Sequence, residues 1–192
     1  MVLIIDHYDS FVDMIGDYIA ALGFQYHLIK TDSIYLDNID IRNYSHIIIG
    51  PGPGHPSDKS LNLVYPIIKR AIKHDIPLLG ICLGHQMIAQ FFGTEITTAT
   101  RICHGVIEKI KIVGTSLLFT QLPMSFNVTR YHSLIIKEIN HNTQLIITAF
   151  SEQNEIMAFE HKLYKIYGVQ FHPESIMTEH GHAMFANFLR IT

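Results

Sequence analysis

The sequence predicts an α/β fold, a mainly parallel sheet flanked by helices with a small antiparallel addition. Three observations carry this. Strand-like apolar runs alternate with helix-like segments through the first half of the chain, the βαβ pattern of a parallel sheet. One of those strands runs directly into Gly80-Ile81-Cys82-Leu83-Gly84-His85-Gln86, which reads as a sharp strand-to-helix turn with a cysteine at its apex. From Glu95 to Gln170 the pattern changes to short strands, the mark of antiparallel hairpins beside the main sheet.

Taken in order, Val2–Asp6 is a buried strand by its continuous apolar run. Phe11–Leu22 is helix-like, with Phe11, Ile15, Tyr18, Ile19 and Leu22 at core spacing and Asp9 or Ser10 placed to cap it. Phe24–Ile29 and His46–Ile49 read as further strands, and Leu61–His74 as a helix. Pro77–Ile81 is the strand that delivers Cys82, and His85–Phe92 continues as helix. Val106–Ile112, Leu145–Phe150 and Ile156–Glu160 are the short strands, Ile166–Phe171 is strand-like, and Gly181–Leu189 is a closing helix. Such a βαβ order puts a site at the carboxyl ends of the parallel strands.

Bulk properties set limits. A chain of 192 residues suits one domain, 1–192, because domains of this size bury roughly 70% of their unfolded surface. No apolar span is long enough to cross a bilayer, and Asp6 interrupts the N-terminal run too early for a secretory signal peptide. A cytoplasmic protein without membrane contact is expected. The two cysteines form neither a disulfide framework nor a CxxC metal pair, and a reducing compartment keeps a thiol usable. A net charge of −3 with no lysine-arginine block argues against nucleic-acid binding.

The chemistry centres on Cys82. A residue at such a turn has a strained backbone, and Gly80 and Gly84 remove the Cβ atoms that would collide with neighbouring chain. The helix beginning near Leu83 aims its unpaired N–H groups at the sulfur and at any anionic intermediate formed there. An unpaired cysteine is ordinarily a small buried hydrophobe, but a packing role needs no flanking glycines. Cys103 lacks this context and reads as an inert thiol.

A thiol needs a base, and thirteen histidines are available. His172 stands out because it follows the strand-like Ile166–Phe171 and precedes Pro173, which ends a ladder and restrains the backbone. Glu174 lies two residues on, on the same face of an extended segment, where a carboxylate can orient the imidazole and stabilise its protonated form. Gly50-Pro51-Gly52-Pro53-Gly54-His55-Pro56 follows the strand His46–Ile49 and forms a stiff loop with bare backbone N–H groups, suited to hold an oxyanion. Its ending is not that of a phosphate loop. No metal site is expected, since histidine pairs such as His180 and His182 lack a cysteine or carboxylate set.

These three segments, Pro51-Gly52-Pro53-Gly54, Gly80 to Gln86 and Gly168-Val169-Gln170-Phe171-His172-Pro173-Glu174-Ser175, resemble class I glutamine amidotransferases. Within that family the chain is most similar to the small subunits of anthranilate synthase and aminodeoxychorismate synthase. Asp6-His7-Tyr8-Asp9-Ser10-Phe11, Arg130-Tyr131-His132-Ser133-Leu134 and Asn187-Phe188-Leu189 carry that likeness. The resemblance implies a flavodoxin-like sheet, a Cys82, His172, Glu174 triad and an oxyanion hole from the Gly54 and Leu83 amides. It implies that Gly52, Pro53 and Gly54, the Gln86 side chain and the Ser133-Leu134 backbone hold L-glutamine. Hydrolysis would pass through a glutamyl thioester, use no cofactor and deliver ammonia to a chorismate-using synthase subunit.

The chain departs from the family pattern at His7, where Asn is usual, at Val12-Asp13-Met14, where Thr-Tyr-Asn is usual, and at Val106, where Lys is common. These segments tend to face the synthase partner in the family, so they bear on the partner and not on the chemistry. Two other readings of the residues remain: a stand-alone cysteine hydrolase of γ-glutamyl substrates, and a non-catalytic flavodoxin-like binding module.

Overall fold

A computed structural model describes residues 1–192. Its strands are β1 (Val2–Asp6), β2 (Tyr26–Lys30), β3 (His46–Ile49), β4 (Leu78–Ile81), β5 (Ile96–Thr98) and β6 (Val106–Ile112). Then come β7 (Ser125–Arg130), β8 (Leu134–Ile136), β9 (Leu145–Ser151), β10 (Ile156–His161) and β11 (Ile166–Val169). The helices are α1 (Val12–Ala21), α2 (Tyr35–Asn38), α3 (Val64–Lys73), α4 (Leu83–Phe91) and α5 (Gly181–Leu189).

Nine strands form one sheet in the order β2-β1-β3-β4-β11-β10-β9-β6-β7. The first five are mutually parallel and the last four add antiparallel. The continuous apolar run of β1 is explained by its place inside this sheet. Val2 and Ile4 face one core with Val12, Ile15 and Ile19 of α1 and Phe185 and Phe188 of α5, while Leu3 and Ile5 face another with Ile67 and Ile68 of α3 and Met87 and Ile88 of α4. A strand covered by helices on both faces has no polar side to alternate with.

The antiparallel strands differ from the sequence expectation in one respect. They do not stand beside the main sheet but extend it, because β10 pairs with β11 through Ala158↔Val169 and Glu160↔Tyr167. Only β5 and β8 form a separate small pair.

Element ends also differ for local reasons. The helix expected from Leu61 begins at Val64, after a 3-10 turn over Lys59–Leu61. Pro66 then falls in the first turn, where its missing N–H costs nothing; a start at Leu61 would have buried it in the interior. Neither Asp9 nor Ser10 caps α1, whose N-cap is Phe11 without a side-chain bond. Asp9 instead accepts from the Phe11 N–H at 2.8 Å, one residue too early. Strand β2 starts at Tyr26 and not Phe24, in register with Val2. Strand β11 stops at Val169, leaving Gln170 and Phe171 in a bend.

Candidate active site

The carboxyl ends of β3, β4 and β11 meet at one point. Cys82 leaves β4 with φ +52° and ψ −101° and is the N-cap of α4. That conformation is rare for a non-glycine residue, and the surroundings enforce it. The Cys82 N–H donates to Val169 C=O at 2.9 Å, while its own C=O accepts from Gln86 N–H at 3.1 Å. A Cβ on Gly84 would strike the Ile49 carbonyl, and one on Gly80 would lie 2.5 Å from the Gly84 backbone, so helix and strands can close on the turn only with glycine at both places.

His172 and Glu174 are both buried, and His172 Nδ1 lies 2.7 Å from Glu174 Oε1. The pairing arises in a turn and not in the extended segment the sequence suggested: Ser175 N–H closes on His172 C=O at 3.2 Å. The His172 backbone is held from two more sides, its N–H by Thr129 C=O at 3.0 Å and its C=O by the Thr178 hydroxyl at 2.6 Å. Nε2 is left without a hydrogen-bond partner. Burial pushes the imidazole pKa down, but Cys82 and Glu174 on its two sides outweigh burial and hold it well above the ordinary histidine value.

A cavity of about 140 Å³ opens beside Cys82, lined by Gly52, Pro53, Gly54, Leu83, Gln86, Tyr131, His132, Ser133 and Leu134. The six residues expected from the resemblance to hold glutamine, and Leu83 of the expected oxyanion hole, thus share one wall with the cysteine. Leu83 is the first residue of α4, so its N–H has no carbonyl to bond within the helix. Gly54 has φ +102° and a Cβ there would lie 2.6 Å from Asp58 Oδ2, which accepts from the His55 N–H at 2.7 Å. Gly52 rests on His7, where no Cβ fits. The loop is therefore built rather than loose. A larger cavity of about 460 Å³ lies at the end of β2 among Tyr8, Lys30, Asp32 and Tyr35, and neither cysteine lines it.

Several side chains at the site stand in the segments read from the sequence but were given no role there. Phe11 and Tyr131 flank the His172 ring, with centroids 5.4 Å and 5.2 Å away. Arg130, 2% exposed, is ion-paired with Glu108 and Glu155 beneath the loop that carries Ser133. Gln170, fully buried, faces both Gln86 and Cys82. A glutamine in the otherwise apolar run from Ile166 to Phe171 was the available signal, since a buried amide needs partners. Cys103 is buried and does not line the cavity beside Cys82; its thiol lies 3.7 Å from Arg101 C=O.

The chain matches known proteins along nearly its whole length. The model of the class I glutamine amidotransferase family matches residues 3–192. Anthranilate synthase component 2 of Saccharolobus solfataricus is 42% identical, over 98% of this chain and 97% of that one. The aminodeoxychorismate/anthranilate synthase component 2 of Bacillus subtilis is 41% identical, over 98% and 95%. The bifunctional protein TrpGD of Thermotoga maritima is 40% identical over 99% of this chain, which spans only 32% of that protein. Among solved structures, a candidate GMP synthase subunit from Thermoplasma acidophilum superposes with a TM-score of 0.86 at 25% identity, covering 98% of this chain and 91% of that one. With the family's pattern matched along nearly its whole length and full-length relatives at about 40% identity, the chain belongs to the class I glutamine amidotransferases.

Proposed function

We propose that this chain hydrolyses L-glutamine through a cysteine thioester and passes the ammonia to a chorismate-using synthase subunit. One observation carries the reading: a cysteine held at positive φ on a strand-to-helix turn, acting on a buried histidine whose far nitrogen is bonded to a buried carboxylate.

In that arrangement His172 Nε2 takes the Cys82 proton while Nδ1–H stays on Glu174, and the sulfur attacks the side-chain amide carbon of glutamine. The carbonyl oxygen becomes an anion, met by the N–H groups of Leu83 and Gly54. His172 returns its proton to the departing nitrogen, the C–N bond breaks, and ammonia leaves behind a γ-glutamyl thioester. Water, deprotonated by the same histidine, cleaves the thioester to glutamate and restores the thiol. These steps need no metal or organic cofactor. Gly52, Pro53, Gly54 and the Ser133-Leu134 backbone are the remaining glutamine contacts. The Gln86 amide nitrogen is already bonded to Leu134 C=O and Gln170 Oε1, so its Oε1 is the end offered to substrate.

The partner follows from the chemistry and from the relatives' names. Residues 1–192 act as one glutaminase domain in this reading, and the ammonia they release calls for an acceptor. "Component 2" in the relatives' names supports a heteromer, and the double name of the Bacillus subtilis relative supports both anthranilate and aminodeoxychorismate as products of the pairing. No helix is long and apolar enough to cross a membrane, and a free thiol nucleophile fits the reducing cytoplasm.

Two measurements test this. An electrophilic glutamine analogue should modify Cys82 and spare Cys103, whose thiol burial pushes up in pKa; failure to label Cys82 would favour the binding module. Glutamate release is then measured for the chain alone and with anthranilate-forming or aminodeoxychorismate-forming subunits, with and without chorismate. A partner that binds the active arrangement of the Gly52–Gly54 loop better by about 3 kcal/mol would stimulate roughly a hundredfold. Full activity in isolation, unchanged by either partner, would favour the stand-alone hydrolase.

A further inference from the structure

The side chain that donates a hydrogen bond to the Cys82 sulfur is Gln170, whose Nε2 lies 3.8 Å from Sγ. A carboxamide has donor and acceptor ends of nearly equal shape, so this contact has meaning only if its orientation is fixed. One group of unambiguous polarity fixes it. Leu134 C=O can only accept, so the Gln86 end 2.9 Å away is its NH₂. The same nitrogen is 3.0 Å from the Gln170 amide, whose facing atom must accept and is therefore Oε1. The NH₂ of Gln170 is left pointing at Cys82.

Leu134 C=O is itself held in place. Arg130 Nε–H, which can only donate, points at His132 Nε2 from 3.0 Å, so the ring proton of His132 sits on Nδ1 and donates to Leu134 C=O at 3.0 Å. A buried guanidinium and a backbone carbonyl thus set the direction of every bond from Arg130 to the nucleophile.

We propose that Gln170 is a further catalytic residue: its carboxamide N–H, locked by Gln86, donates to the Cys82 sulfur and stabilises the anionic nucleophile before glutamine arrives. This rests on Cys82 being the nucleophile and adds a residue to that site. A donor buried against an anion gives one of the stronger hydrogen bonds available to a protein. It also leaves the oxyanion donors free for substrate.

The test is the pH dependence of Cys82 alkylation by iodoacetamide, read by peptide mass mapping on the full chain. Gln170→Met removes the donor at similar volume, and Gln170→Glu keeps the shape but turns an acceptor anion toward the sulfur. The midpoint of the profile should rise by about one pH unit in Q170M and further in Q170E, slowing alkylation about tenfold below the midpoint with an unchanged plateau above it. Wild-type midpoints in both folded variants would overturn the proposal. If neither variant folds, the wild type carries the test, because the NMR signals of the Gln170 carboxamide must move as Cys82 titrates. Signals that stay fixed through that titration overturn it. Failure of the underlying reading looks different: the glutamine analogue would then leave Cys82 of the wild type unmodified.

Discussion

His7→Asn should flatten the loss of stability that this protein suffers in mild acid. His7 is 2% exposed at the end of β1, and neither ring nitrogen has a hydrogen-bond partner. Burial lowers its pKa to about 4, only partly opposed by the neighbouring Asp6 charge. Because the folded value lies below the unfolded one, the unfolded chain takes up the proton first as pH falls. The contribution is therefore complete above about pH 6.5 and drains away between there and pH 4. With a folded pKa of about 4 against 6.5, His7 alone costs about 2 kcal/mol at pH 5 relative to pH 8. That is a large share of a typical net stability of about 5–15 kcal/mol. His85 and His132, both lowered to about 3 by burial, act in the same direction but are present in both proteins and cancel in the comparison. The assay is urea denaturation at the two pH values, followed by far-UV circular dichroism because the chain has no tryptophan. Wild type should lose about 2 kcal/mol more than H7N between them. Equal losses would refute the reasoning, showing that the ring is hydrated or paired. Because Gly52 rests on His7, glutaminase activity should fall in acid along the same limb.

Three further outcomes follow from the geometry. Arg130→Met leaves the half-buried Glu108 and Glu155 and the buried pocket between them without a counter-charge and should cost about 3–5 kcal/mol in thermal or urea unfolding, with part recovered on adding E108Q and E155Q. Gly84→Ala drives a methyl into the Ile49 carbonyl and should cost at least about 1–3 kcal/mol, whereas Gly93→Ala, with open space around it and φ +88°, should cost only about 1–2 kcal/mol of backbone strain. Glu174→Gln should keep the fold yet lower glutaminase turnover by a smaller factor than Cys82→Ala, since it orients His172 and does not attack; full activity in the assembled enzyme would remove Glu174 from the triad.

The residues of the site differ in how openly the sequence announces them. Cys82 and the Gly52–Gly54 loop were legible because their demands are local: a turn at positive φ needs small neighbours within two residues, and those neighbours stand in the sequence. The pairing of His172 with Glu174 was read from their spacing, although a turn and not an extended strand brings the two together. Gln170 and Arg130 were not legible as site residues because their partners lie far off, Gln86 at a separation of 84 residues and Glu108 at 22.

The same division runs through the fold. Continuous apolar runs by themselves determined β1, β3 and β4, and the period of apolar residues determined α1, because burial on two faces or one leaves its mark on consecutive positions. The start of α3 was read as Leu61 and lies at Val64, although Pro66 constrains its own backbone and favours the later start. Only the tertiary structure decided that β10 joins β11 and so carries the antiparallel strands onto the main sheet. It alone decided that His7 is sealed against Gly52, and that one chain of hydrogen bonds runs from Arg130 to Cys82. Local geometry is fixed by neighbours along the chain, whereas strand partners and buried polar contacts are chosen among groups that meet only after the chain has closed on itself.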